Sequence, residues 1–268
     1  MKYCKRCQAS AANSWLFCVK CGCYIGNDTG EEEIEYRCEA CGVKFFGGVF
    51  CPCCGSNVTD GKALLFGEGR IDAEQIKVGM QVSMGSYPFR KFDEKVPIEW
   101  IVLERTENKA LLISKYALDG HRYHGASACT WEQSEMREWL HTRFADNAFT
   151  KEEYAHIATT VQTKNGKISC EDKIFLLSES EYCNYIEYRS AAMGNPYLAG
   201  CYPTEYAALG GAKRGGMGTC QCWLRKDCAN EYDGVYITRA SKRDRWMRVN
   251  LKMGVRPAMW VLLNDISY

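Results

Sequence analysis

The sequence has almost no net charge, no long apolar run and few histidines. Lysine and arginine number 34 against 33 aspartates and glutamates, a formal net charge of +1. So even a balance lacks the overall basic signature of a polyanion-binding chain. The longest apolar runs, Trp100 to Leu103 and Met259 to Leu263, are far too short to cross a bilayer, so no membrane partner is expected. Lys2, Lys5 and Arg6 charge the start, but no apolar stretch of a signal peptide follows. A cytoplasmic location is expected. The four histidines are His121, His124, His141 and His156. No carboxylate or cysteine completes metal-ligand spacing around them, so they read as loop and surface groups. Gly211 to Gly218 is glycine-rich, but Met217 stands where a phosphate loop needs lysine, which excludes nucleotide binding there.

Cysteine is the opposite case. The chain has 17, and ten of them fall within residues 1 to 55. Cys4-Lys5-Arg6-Cys7 is followed by Cys18-Val19-Lys20-Cys21, and Cys38-Glu39-Ala40-Cys41 by Cys51-Pro52-Cys53-Cys54. The module is therefore an internal repeat of two CxxC pairs. With no export signal, that spacing reads as metal binding in a reducing compartment rather than as disulfides. Four thiolates at about 2.3 Å close a tetrahedral shell around zinc and leave no open position, so both sites are structural. The metal also accounts for the folding of a segment with so little core. Two zinc ions are expected, on Cys4, Cys7, Cys18 and Cys21 and on Cys38, Cys41, Cys51 and Cys54. Cys23 and Cys53 are extras; a register using Cys53 in place of Cys51 or Cys54 spoils the spacing. Residues 1–25 and 36–57 are the two ribbons, and the acidic stretch Asn27 to Glu35 links them. A nucleic-acid ribbon is normally more basic, so a scaffold or protein-docking role is favoured over nucleic acid.

After a glycine-rich linker, residues 71–268 read as one α+β domain. Pro97 to Glu104 and Ala110 to Tyr116 flank the turn Thr106-Glu107-Asn108-Lys109 as a hairpin. Thr130 or Ser134 opens a helix through Met136, Trp139, Leu140 and Phe144. Thr150-Lys151-Glu152-Glu153 and Ser178-Glu179-Ser180-Glu181 are capping boxes for two more helices. Lys173 to Leu177 is a short buried strand. The stretch from Ala191 to Gly234 reads as loop. Gly234 to Thr238, Arg245 to Leu251 and Ala258 to Leu263 read as late strands. Trp131, Trp139, Phe144 and Phe149 are core. Arg239 to Arg256 holds seven basic residues and one acid, Asp244, with Tyr232, Tyr236 and Trp246 close by. Tyr, Trp and Arg dominate binding hot spots. The alternative for this cluster is a solvated edge strand guarded by charge.

The ordered set Ile98-Glu99-Trp100-Ile101-Val102-Leu103, Leu111-Leu112-Ile113-Ser114-Lys115, Thr130-Trp131-Glu132-x-Ser134-x-x-Arg137-x-Trp139-Leu140, Ala148-Phe149-Thr150, Phe175-Leu176-Leu177-Ser178, Trp223-Leu224-Arg225 and Gly254-Val255-Arg256-Pro257-Ala258 resembles an uncharacterised family of bacterial domains that often follow zinc ribbons. Its layout is similar to the C-type-lectin-like fold of formylglycine-generating enzymes and of the variable proteins of diversity-generating retroelements. The resemblance covers roughly residues 75 to 265. It implies a C-type-lectin-like ligand-binding domain behind the ribbons. In such variable proteins a late, loop-rich segment displays ligand-contacting side chains ahead of a constant strand. The matching segment is 230–252, with Tyr232, Tyr236, Arg239, Arg243, Arg245, Trp246 and Arg248 as its contacting residues. Formylglycine-generating enzymes use a late pair of redox cysteines. Here Cys220 and Cys222 form CxC beside Cys228, which is not that arrangement, so oxidase activity is not carried over. The expectation is a non-enzymatic protein binding a protein or other macromolecular ligand. An oxidase-like enzyme and a zinc-ribbon nucleic-acid binder are the alternatives.

Overall fold

The computed structural model describes residues 76–263, apart from 91, 93, 126, 165–166, 188–199, 216–217 and 238–242, together with four short strands before residue 47. The chain divides near residue 63 into two units. In the first unit, β1 (Lys2–Tyr3) pairs antiparallel with β2 (Ser10–Ala11), and β3 (Glu35–Arg37) with β4 (Lys44–Phe46). The eight cysteines expected to hold zinc lie outside the described residues.

The second unit is α+β, with two sheets carrying most of the structure. The larger sheet has the order β12-β17-β7-β6-β5, with β9 also on β17. Its strands are β5 (Gln81–Pro88), β6 (Lys95–Arg105), β7 (Lys109–Ser114), β9 (Ile157–Ala158), β12 (Ile174–Phe175) and β17 (Ala258–Leu262), and every pairing is antiparallel. The expected hairpin is β6–β7. Its turn closes through Thr106, whose amide donates to the Lys109 carbonyl at 2.8 Å. In β6 every residue from Ile98 to Leu103 is buried. Alternation fails there because both faces of the strand are covered. The Trp100 indole N–H inside this run donates to the Met84 carbonyl at 2.9 Å, which satisfies it without water.

Strand β5 carries no clear alternation in the sequence, and Gly85 explains part of that. Its φ is +70°, and a Cβ there would lie 2.5 Å from the Ala148 carbonyl oxygen and 2.8 Å from the Phe149 ring. Glycine both permits the bend and lets the helical layer sit close.

That layer begins at Ser134, whose hydroxyl caps α1 (Glu135–Trp139) by accepting from the Arg137 amide. A π-helical turn, Leu140–Phe144, leads into α2 (Ala145–Ala148). Met136, Leu140 and Phe144 are fully buried. Both capping boxes form as expected. Thr150 caps α3 (Lys151–Ala155) and Ser178 caps α4 (Glu179–Tyr182), each with its reciprocal glutamate. A second π turn, Cys183–Glu187, extends α4. The region expected to be loop contains one more helix, α5 (Glu205–Gly210), capped by Thr204. A separate hairpin joins β10 (Thr160–Lys164) to β11 (Lys167–Asp172).

The smaller sheet has the order β15-β14-β13-β16-β8. It comprises β8 (Asp119–His121), β13 (Cys222–Trp223), β14 (Gly234–Ile237), β15 (Arg243–Met247) and β16 (Met253–Val255). The Gly254 to Ala258 run carries the chain from the smaller sheet to the larger one. Across that joint the Arg256 Nε donates to the Ser114 carbonyl at 2.7 Å, and the Ser114 amide donates to the Pro257 carbonyl at 2.9 Å. The other quoted motifs are structural as well. Trp131 and Arg137 both donate to the buried carboxylate of Asp172, at 2.8 and 2.6 Å. Trp223 is buried and donates to the His121 carbonyl at 2.9 Å. Among the described residues no helix is long and apolar enough to cross a membrane.

Candidate functional site

The late hairpin is formed by β14 and β15, paired from Gly234↔Met247 to Ile237↔Arg243. Strand β14 is buried along its length, whereas β15 is the edge of its sheet and largely exposed. The two strands therefore divide the candidate residues. Tyr236, expected on the exposed face, is instead buried at 7 % exposure, because it belongs to the inner strand. Its hydroxyl donates to Asp244 Oδ2 at 3.2 Å, and burial with that carboxylate beside it raises its pKa. Arg239 lies outside the described residues.

The remaining five stand on or beside the edge. Arg243 binds Glu179 Oε1 at 3.0 Å and Glu187 Oε2 at 2.9 Å. Arg245 binds the same Glu179 through Oε2 at 2.8 Å. One carboxylate of α4 thus holds two guanidinium groups of β15 in register. Arg248 donates to the Tyr232 hydroxyl at 2.6 Å, and its guanidinium lies 4.8 Å from the Tyr232 ring centre. Trp246 is 74 % exposed and has a φ of +70°, the one positive φ of a non-glycine residue among those described. A bulky residue held in the left-handed region costs about 1–2 kcal/mol. Here that conformation turns a large indole outward rather than into the sheet. Glu179 and Glu187 were not legible as part of this surface. The sequence marked Glu179 as the first residue of a capped helix, and nothing local ties it to a strand more than sixty residues away.

The late cysteines separate into two sets. Cys129 and Cys228 face each other across an isolated antiparallel bridge, with mutual amide–carbonyl bonds of 3.0 and 2.8 Å. Both are buried; the hydrogen bond to Cys129 and burial push the Cys228 thiol up. Cys201 and Cys222 form a disulfide. The Cys220 sulfur lies 3.6 Å from that of Cys222 and 3.9 Å from that of Cys201. Among the described residues, these three are the one group whose side chains could hold a metal ion. Cys201 was not singled out by the sequence, since it stands alone in a loop-like stretch.

The histidines have local roles. His121 stacks on Trp139 at 4.8 Å between ring centres. His141 Nε2 lies 2.9 Å from the Ile174 carbonyl and 3.3 Å from Asp172, and burial lowers its pKa. His124 Nδ1 accepts from the Glu135 amide at 3.4 Å, and His156 Nδ1 lies 2.8 Å from the Glu152 carbonyl.

No curated protein and no solved structure matches the chain. Residues 107–263, more than half of its length, match a family described as a domain of unknown function, DUF6273, and the chain belongs to that family.

Proposed function

We propose that this protein is a non-enzymatic ligand-binding protein with a C-type-lectin-like domain, related in design to the variable proteins of diversity-generating retroelements. The edge hairpin is its binding face. One observation carries the reading: Trp246 is turned into solvent in a left-handed conformation, next to Arg245 in the chain and two residues from Arg248. An exposed indole contributes little to folding, and its strained backbone opposes folding. Exposed Trp and Arg with Tyr232 supply the side chains that carry binding energy in protein interfaces. The partner class is a protein or other macromolecule presenting carboxylates or aromatic rings.

The amino-terminal ribbons are read as two structural zinc sites in a cytoplasmic protein. The paired strands β1–β2 and β3–β4 support this, because the sequence between each pair carries one CxxC, Cys4/Cys7 and Cys38/Cys41.

A displayed peptide library selected on the whole chain tests the binding face. Counter-selection uses the double variant Trp246→Ala/Arg248→Ala. Enriched peptides should bind the wild type and lose at least tenfold in affinity on the variant. Equal binding to both proteins refutes the reading.

A further inference from the structure

Cys201, Cys220 and Cys222 lie in a small core of their own, apart from the large apolar core. Its other members are all alanines: Ala117, Ala207 and Ala212. The backbone fixes their places. The Cys220 amide donates to the Cys201 carbonyl at 2.7 Å, and the Gly254 amide donates to the Gln221 carbonyl at 2.8 Å. Gly254 leaves the necessary space, since a Cβ there would meet the Cys222 sulfur at 2.8 Å and the Cys220 sulfur at 2.9 Å. All three sulfurs lie within 4.8 Å of one another.

We propose that the reduced protein binds one zinc ion through Cys201, Cys220 and Cys222, and that the Cys201–Cys222 disulfide is the metal-free state of the same site. A tetrahedral shell with Zn–S bonds near 2.3 Å places neighbouring sulfurs about 3.8 Å apart. The two distances from Cys220, 3.6 and 3.9 Å, already match that edge. Three thiolates around Zn2+ leave one negative charge. Arg256 is buried close by, in the wall of a small pocket shared with Cys201 and Cys222. A buried charge is tolerated when an opposite one offsets it.

On this proposal the fourth ligand is a water molecule. A small pocket has Cys201, Cys222, Tyr182 and Arg256 in its wall. Zinc with three protein ligands and a solvent molecule is an established coordination type. Zinc is preferred to the harder divalent ions because all three donors are soft thiolates.

The two states exclude each other, since both use the sulfurs of Cys201 and Cys222. Reduction of the disulfide by a dithiol takes two electrons and two protons and yields two thiols. The dithiol becomes a disulfide. Zinc binding then releases three protons, one from each cysteine. Oxidation by a disulfide reverses both steps and expels the ion.

The test uses the whole chain, so that the amino-terminal cysteines contribute equally to every sample. Wild-type and Cys220→Ala proteins are reduced with a phosphine, loaded with Zn2+, and freed of loosely held metal by a weak chelator. Elemental analysis should find about one more zinc per chain in the wild type. Cys220→Ala retains the Cys201–Cys222 disulfide when oxidised, and circular dichroism of that form verifies its fold. With Co2+ in place of zinc, the wild-type minus variant spectrum should show thiolate-to-cobalt charge transfer. A measurement on wild type alone is independent of any folding defect. Oxidation that forms the Cys201–Cys222 bond, mapped by peptide mass spectrometry, should release about one equivalent. Equal zinc in the two reduced proteins, bond formation without zinc release, or uptake of Cu(I) but not Zn2+ would each overturn the proposal.

Discussion

Trp246 combines a cost and an opportunity at a single residue. Its φ of +70° suits glycine, yet the position carries the bulkiest side chain available, and 74 % of it is in water. If the indole contributed to folding, replacing it would destabilise the chain. The geometry argues the reverse. Trp246→Gly should raise the unfolding free energy by about 1 kcal/mol, because glycine adopts this backbone without strain. Trp246→Ala should change it by less than about 0.5 kcal/mol. Urea melts of the two variants check this. A loss of 2 kcal/mol or more in either, well beyond the small shifts expected at exposed sites, would mean that the indole packs against the sheet.

His141 gives a second prediction, in pH. Burial lowers its pKa below the ordinary 6.5; the Asp172 carboxylate partly opposes this and Arg137 adds to it. The unfolded chain takes a proton on this ring near 6.5, whereas the folded chain resists it until a lower pH. Stability therefore falls as pH drops from 6.5 toward the folded value, and the loss ends below that value. His141→Gln removes this component. Its stability should fall less steeply than that of the wild type between pH 6.5 and 5, read from melting temperatures across the range. Parallel slopes would show that the ring takes its proton equally in both states.

Among elements, α4 matters most to the candidate site. Ser178 starts it, and Glu179, its first residue, holds both Arg243 and Arg245. The cap is worth about 1 kcal/mol, so Ser178→Ala should lower stability by that amount in a denaturant titration. Glu179→Gln leaves the cap intact but removes the charge that both guanidiniums share. Such partly exposed pairs contribute little to folding, so stability should change by less than about 1 kcal/mol. Retention of an acidic peptide should rise because Arg245 is released, while Arg243 keeps its bond to Glu187. Unchanged retention would show that Arg245 does not meet the ligand.

The same elements show what the sequence makes legible. The β6–β7 hairpin and both capping boxes were readable, because a turn or cap is written in four consecutive residues. Of the late pair, β14 was readable, but the strand expected at Arg245 to Leu251 runs from Arg243 to Met247. The π turn at Leu140–Phe144 was not, since the apolar spacing of Met136, Leu140 and Phe144 suits an ordinary helix equally well. Helix α5 was hidden between glycines, though Thr204 and Glu205 were an available start signal. The cluster of Cys201 with Cys220 and Cys222 depends on sheet packing that no local pattern encodes. The exposed side of the late segment was readable as a basic and aromatic cluster. That Tyr236 is buried was not, because β14 is covered on both faces and lies inside the edge strand β15, an order that depends on its pairing with the distant β13.

For the whole molecule, the open question is where the folding unit begins. The family match starts at residue 107, inside the β6–β7 turn. The physical unit starts earlier, because β5 and β6 lie in the same sheet as β7 and β17. A fragment beginning at residue 107 would expose the whole inner edge of β7. It would also lose Ile98, Trp100, Ile101, Val102 and Leu103, all buried. At about 1.5–3 kcal/mol for each such side chain, that loss is on the order of 10 kcal/mol, comparable to the net stability of an ordinary domain. The segment before residue 64, by contrast, belongs to the other unit. A fragment of residues 64–268 should therefore melt cooperatively, with the same near-ultraviolet dichroism from its buried tryptophans as the whole chain. A fragment of residues 107–268 should be aggregated or melt without a transition, since the bare edge of β7 offers unpaired backbone groups to other chains. Reduced and loaded with zinc, the 64–268 fragment should hold about two fewer ions than the whole chain if the ribbons are the zinc sites proposed above. A cooperative 107–268 fragment would place the core on β7 and β17 alone, and a non-cooperative 64–268 fragment would mean that the amino-terminal unit completes the fold.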